Sequence, residues 1–157
     1  MRTGFGYDVH RYAEGRAFIL GGVTIPYEKG LLGHSDADVL AHAVIDALFG
    51  AAALGDIGSH FPDTDEAYHN ADSMKLLDEA VGLLRKKGYR IVSVDTTVVC
   101  QQPKLRPYME AIRLSLASHL QTDVDCVSVK GKTEEGLGFT GSGDGVKAYA
   151  VCGIEDV

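Results

Sequence analysis

Apolar and polar positions alternate from Gly4 to Tyr12, the period of a β-strand. Phe5, Tyr7 and Val9 fall on one face, and Gly6, Asp8, His10 and Tyr12 on the other. Phe18 to Ile25 reads as a hairpin with Gly21-Gly22 at its turn, where positive φ is needed at both positions. The period then lengthens to that of a helix. Ser35 or Asp36 offers the N-cap, and the helix runs to about Leu54 with Leu40, Val44, Ala47, Leu48 and Ala51 inward. Gly55 to Gly58 ends it, and His60 to Asn70 reads as a polar, mobile loop with little to bury. Asp72 or Ser73 caps a second helix that buries Leu76, Leu77, Ala80, Val81 and Leu84 and stops at Gly88. Arg90 to Gln101 is a half-buried strand with Val92, Val94, Thr96, Val98 and Cys100 on one face. Pro107 opens a third helix that turns Met109, Ile112, Leu116 and Leu120 inward. Val124 to Lys130 and Val146 to Ile154 are strands, and the Gly-rich segment from Gly131 to Gly145 joins them. Runs in this order predict an α/β domain of the α+β type, with a small mixed sheet and helices on one face. The other sheet face then needs partner chains, because large bare apolar faces are rare on monomers.

The length of 157 residues fits one domain, residues 1–157. The net charge of -7 argues against nucleic acid, which selects a basic face. The longest apolar stretch, Ala47 to Leu54, is far short of the roughly 20 residues of a membrane span, and Gly50 interrupts it. The N-terminus has no signal-peptide core, so Cys100, Cys126 and Cys152 read as reduced cytoplasmic thiols. Charge is unevenly placed. Residues 1–72 hold 11 acidic and 4 basic side chains, whereas residues 73–157 hold 11 of each. Five of the six His residues also lie in the acidic part, as a metal site requires and as an acidic surface equally allows.

Asp8 and His10, two apart on a strand, point the same way with backbones about 6.6 Å apart. Asp38, His42 and Asp46 repeat every four residues on one helical face, opposite the apolar stripe. That pattern is also the polar stripe of a solvated helix. A carboxylate and two imidazoles, drawn from Asp8, His10 and His42, make a suitable zinc shell with a fourth position open. Asp46, or else Asp38, is the candidate to orient His42. Gly131-Lys132-Thr133 lacks the earlier Gly of a P-loop, since position 126 is Cys. Lys132 to Glu135 still offers a hydroxyl for phosphate and carboxylates for a hard cation. No Ser-His-Asp or Cys-His pattern points to a side-chain nucleophile.

Several segments occur together and in order: Asp8-Val9-His10, Gly33 to Asp38, His42, Ala53 to Gly58, Phe61 to Asp65, Pro103-Lys104-Leu105 and Thr133 to Gly141. In these the chain resembles the 2-C-methyl-D-erythritol 2,4-cyclodiphosphate synthase family of the non-mevalonate isoprenoid pathway, over nearly its whole length. The resemblance implies a ferredoxin-like, trimer-forming fold with active sites between subunits of a cytoplasmic homotrimer. It implies closure of 4-diphosphocytidyl-2-C-methyl-D-erythritol 2-phosphate to the cyclic diphosphate with release of CMP. By family position, Asp8, His10 and His42 hold zinc, and Glu135 helps to hold magnesium or manganese on the substrate diphosphate. His34 and Thr133 steady the transition state. Asp56, Ile57 and Gly58, with Phe61, Pro62, Asp63, Thr64 and Asp65, hold the methylerythritol end. Cys100, Gln101, Gln102, Pro103, Lys104, Leu105 and Arg106 form the cytidine pocket with Lys132 and Thr133. Ser35, Glu134, Phe139 and Ser142 are further substrate contacts. Two positions depart from the family, which often has Thr at 132 and Arg at 142. Ser142 removes a cation from the trimer axis, where family members can hold an isoprenoid diphosphate. The rival readings are a zinc-dependent phosphohydrolase and a trimeric cytidine-nucleotide-binding module without turnover.

Overall fold

The computed structural model describes residues 1–157 and begins with a long strand, β1 (Arg2–Ala13). The hairpin of β2 (Phe18–Leu20) and β3 (Val23–Ile25) follows, with Gly21 and Gly22 both at positive φ as a two-residue turn demands. A short β4 (Gly30–Leu31) precedes α1 (Val39–Ala51), α2 (Ile57–His60) and α3 (Ser73–Lys86). Then come β5 (Tyr89–Val99), α4 (Met109–Leu120), β6 (Val127–Lys132), α5 (Gly138–Gly141) and β7 (Gly145–Asp156). The main sheet has the order β4-β1-β7-β5-β6, with β5 and β6 parallel and every other pair antiparallel. The helices lie on one face: α1 over β1 and β7, α3 against β5, and α4 against β6. No helix is long and apolar enough to cross a membrane.

Four local expectations give way to tertiary context. Asp38, rather than Ser35 or Asp36, caps α1, accepting from the Ala41 amide at 3.0 Å. The same carboxylate takes the amides of Gly21 and Gly22 at 2.9 and 2.8 Å, so it clamps the hairpin turn to the helix. Burial pushes the Asp38 carboxyl above its ordinary range, against the pull of those three amides. Second, α1 is not half-solvated, since apart from Asp46 and Gly50 every one of its residues is buried. Third, a bulge between Ile91 and Ser93 turns Val92 off the core face and lets Ile91 pack inward. Fourth, Val124 to Cys126 is a 3₁₀ turn, so β6 starts three residues late.

Two glycines decide where the chemistry lands. A Cβ at Gly6 would lie 1.8 Å from the Ala43 carbonyl oxygen, and one at Gly4 would lie 1.9 Å from that of Ala47. The strand and the helix therefore meet backbone to backbone, small residue on small residue. Further along the same strand face come Asp8 and His10, brought against His42 on α1. The opposite face of β1 is apolar and uncovered, with Phe5, Tyr7 and Val9 exposed beside Val151 of β7.

Candidate active site

His10 Nε2 and His42 Nδ1 lie 2.9 and 3.0 Å from Asp8 Oδ2 and 3.3 Å from each other. Three donors at about 2.0–2.1 Å from one tetrahedral ion would stand roughly 3.3 Å apart. The triad is therefore already near a metal-binding spacing. Its free lone pairs also point the right way. His10 Nδ1 donates to the Leu32 carbonyl oxygen at 2.9 Å, which leaves Nε2 unprotonated toward Asp8 and His42 in the neutral ring. His42 turns Nε2 away, toward Ser73 Oγ at 2.8 Å and Ser35 Oγ at 3.2 Å. Burial would raise the Asp8 carboxyl, but the bonds and charges of the two imidazoles hold it down at about 2. Burial would lower His10, and the bond to Asp8 reverses this and raises it. A carboxylate stabilised as an anion beside two nitrogen donors fits a borderline cation such as zinc.

The triad opens on a cleft of about 390 Å³, shared with Gly33, His34, Ser35, Ile57, Gly58 and the Phe61 to Asp63 turn. Asp46 does not touch His42. It accepts the Ile57 amide at 2.7 Å and so fixes the start of α2, which carries Ile57 and Gly58. Asp56 caps the same turn through the Ser59 amide and hydroxyl at 2.9 and 2.7 Å. The segment after His60 buries more than its polarity suggests. Phe61 is buried among the rings of Phe49 and Tyr68, and a 3₁₀ turn spans Glu66–Tyr68. His34 ties this segment down: its Nε2 donates to the Asp65 carbonyl oxygen at 3.0 Å, and its own carbonyl accepts the Asn70 amide at 2.7 Å.

A second cleft, of about 670 Å³, is lined by Cys100 to Arg106, Lys132 and Thr133, the set that the resemblance implies, and also by Met109, Val129 and Gly131. Lys104, Arg106 and Lys132 are exposed at its rim, while Leu105 is buried. The Tyr12 hydroxyl anchors its floor by donating to the Gln102 carbonyl oxygen at 2.7 Å. Burial raises the Cys100 thiol, which keeps it protonated and inert, in keeping with chemistry that needs no side-chain nucleophile. Gln101 Oε1 accepts the Gly136 amide at 3.2 Å and links this cleft to the Thr133 to Gly136 bend. Glu135 occupies that bend at φ 54°, with its amide donating to Thr133 Oγ1 at 3.3 Å.

No residue lines both clefts. Within one chain His34 therefore stands in one and Thr133 in the other, and Glu135 is not among the clustered metal-ligand atoms of Asp8, His10 and His42. Phe139 lines a third hollow, with Tyr7, Val9 and His10. Ser142 donates to Asp144 Oδ2 at 2.8 Å, and Lys147 pairs with Glu134 at 2.5 Å above the rings of Phe139 and Tyr149. Ser73, Asp36, Leu76, Tyr68 and Tyr12 carry no site role in the sequence. Spacing along the helix of His42 offers Asp46 at i+4 and Asp38 at i−4 as its partners, whereas its partner comes from the first turn of α3.

A family model described as the YgbB family matches residues 1–155. The chain is 59% identical over 151 residues to the 2-C-methyl-D-erythritol 2,4-cyclodiphosphate synthase of Trichlorobacter lovleyi, covering 96% of each. It is 55% identical over 152 residues to that of Clostridioides difficile, covering 97% of this chain and 94% of the relative. A solved structure of 2C-methyl-D-erythritol-2,4-cyclodiphosphate synthase in a CDP-bound form superposes with a TM-score of 0.90 at 38% identity, over 98% of this chain and 100% of that one. The bifunctional IspDF of Campylobacter jejuni superposes at 0.96 with 41% identity, over 99% of this chain, which spans 42% of that longer one.

Proposed function

The chain belongs to the YgbB family and acts as a cyclodiphosphate synthase of the non-mevalonate isoprenoid pathway, and from that premise we propose how its residues divide the work. The reaction closes 4-diphosphocytidyl-2-C-methyl-D-erythritol 2-phosphate on itself. An oxygen of the 2-phosphate forms a bond to the phosphorus nearer the methylerythritol, and the bond from that phosphorus to the bridging oxygen breaks, releasing CMP. The nucleophile is already an anion, so the protein must position two phosphates and offset their charge.

Asp8, His10 and His42 would hold a zinc ion, and Glu135 would help to hold magnesium or manganese with the substrate. When bound, these ions neutralise phosphate oxygens and orient them for in-line displacement. His34 turns from Asp65 toward the reacting phosphate, and the Thr133 hydroxyl donates to its developing charge. Ile57 and Gly58, set by Asp46, receive the methylerythritol end with Asp56, Ser35 and the Phe61 to Asp65 turn. The turn from Cys100 to Arg106 takes the cytidine, with Lys104, Lys132 and Glu134 near its phosphates.

The two groups of residues line separate clefts of one chain, and a single substrate needs both. We therefore assign the active site to the junction of neighbouring copies in a homotrimer, with the uncovered face at Phe5, Tyr7, Val9 and Val151 turned inward. Phe139 and Ser142 then come near the axis. The unpaired thiols of Cys100, Cys126 and Cys152 suit a cytoplasmic enzyme of one domain.

The convergence of Asp8, His10 and His42 on one point carries these assignments. With zinc and magnesium, the protein should convert the cytidylyl substrate to stoichiometric CMP and cyclic diphosphate, and His42→Ala should lose both bound zinc and turnover. Full activity of metal-free His42→Ala protein would overturn the metal assignment. Release of inorganic phosphate in place of CMP would mark a phosphohydrolase, and binding without turnover would mark a nucleotide-binding module.

A further inference from the structure

Ser73 is the first residue of α3 and is fully buried, yet the cap of that helix is supplied by Asp72. Its hydroxyl is thus free for other use. The hydroxyl donates to Asp36 Oδ1, and the Ser73 amide donates to Asp36 Oδ2 at 3.1 Å. The Asp38 amide also reaches Asp36 Oδ1 at 3.1 Å, so the carboxylate is held from both sides. On its other side Ser73 Oγ lies 2.8 Å from His42 Nε2.

These contacts have one consistent direction. An ionised carboxylate only accepts, so the single Ser73 hydroxyl proton goes to Asp36. Only lone pairs then remain for His42, whose Nε2 must carry the proton. Nδ1, 3.0 Å from Asp8 Oδ2, is then the nitrogen whose lone pair a metal takes on displacing any proton shared with that carboxylate. The opposite tautomer would set lone pair against lone pair at Ser73 and place a proton where a metal must bind. Ser35 Oγ, at 3.2 Å from Nε2, is a second acceptor for the same proton.

We propose that Ser73 and Asp36 are positioning residues that hold His42 in its Nε2–H tautomer and thereby set the affinity of the metal centre. The proposal rests on the metal reading of Asp8, His10 and His42. It also ties that centre to the segment between His34 and α3, because the Asp36 amide donates to the Ala71 carbonyl oxygen at 3.0 Å.

The test combines nitrogen-detected NMR of the His42 ring in metal-free protein with zinc affinity measured by chelator competition. In the wild type His42 Nε2 should carry a proton, whether or not Nδ1 also carries one toward Asp8. Ser73→Ala should mix the tautomers and raise the zinc dissociation constant about 10–100-fold, and Ser73→Thr, which keeps the hydroxyl, should restore both. A purely structural role for Ser73 would lower the unfolding midpoint and leave the tautomer alone. A Ser73→Ala protein that keeps Nε2–H and binds zinc within about twofold of wild type would overturn the proposal. So would a wild-type His42 protonated on Nδ1 with a bare Nε2, whatever the variant's fold. A wild type with the expected tautomer but no affinity for zinc would overturn the metal reading and leave the relay standing.

Discussion

Asp8, His10 and His42 lie within hydrogen-bond reach of one another, and their protons compete with any bound ion. His10 is raised above its ordinary 6.5 in the metal-free protein, so its stabilising contribution is complete below that value and is lost as pH rises through the raised one. Asp8, held at about 2 by the two imidazoles, is already ionised there and adds no slope. Metal-free protein should therefore be less stable at about pH 8 than at about pH 6. With saturating zinc the trend should reverse, because fewer protons then oppose binding. Urea midpoints with and without zinc check this, and parallel slopes in the two series would refute it. The triad was legible because a two-residue strand spacing and an inward helical His are local signals. Ser73 was not legible, because it reaches His42 across 31 positions of chain. The i+4 guess at Asp46 failed because the Ile57 amide holds that carboxylate.

At the scale of elements, the register of β1 on α1 places the ligands. Gly6→Ala would drive a Cβ to within 1.8 Å of the Ala43 oxygen and force strand and helix apart. A cost of about 1–3 kcal/mol or more is expected from such overpacking, together with weaker zinc binding as Asp8 and His10 move off His42. Chemical denaturation and chelator competition measure the two effects, and lost stability with unchanged zinc affinity would show that the ligands are placed independently. The second cleft, proposed to take the cytidine, depends on a different contact, the Tyr12 hydroxyl under Gln102. Tyr12→Phe should raise KM for the cytidylyl substrate severalfold, on the order of one hydrogen bond of about 0.5–1.5 kcal/mol, with kcat and zinc affinity unchanged. A fall in kcat alone would contradict that role. Strand and helix periods were readable from the chain, and α3 and α4 lie close to where the pattern put them. The bulge at Val92 and the 3₁₀ turn at Val124–Cys126 were not, since β-rich sequence alone does not reveal a skipped pairing. The segment after His60 read as bare loop because its anchors, Phe61 and Tyr68, find partners only in the folded chain.

At the scale of the whole molecule, one chain presents two separate clefts and an apolar sheet face with nothing over it. The uncovered face was legible in the one-sided placement of helices. The alternation of Phe5, Tyr7 and Val9 along β1 already puts them on one face, and Phe5, at 62%, is the most exposed aromatic. The proposed division of labour between copies rests on the resemblance and the two separate clefts, because spacing along a chain says nothing about which copy supplies a residue. Subunit mixing tests it. His42→Ala damages the metal half and Thr133→Val the phosphate half, and each variant alone should be inactive. If every site takes its halves from two neighbouring copies, a randomly reassembled equal mixture should recover about a quarter of the wild-type activity, the share of junctions that join two intact halves. A mixture no more active than either variant alone would contradict the account, because each chain would then be building its site by itself.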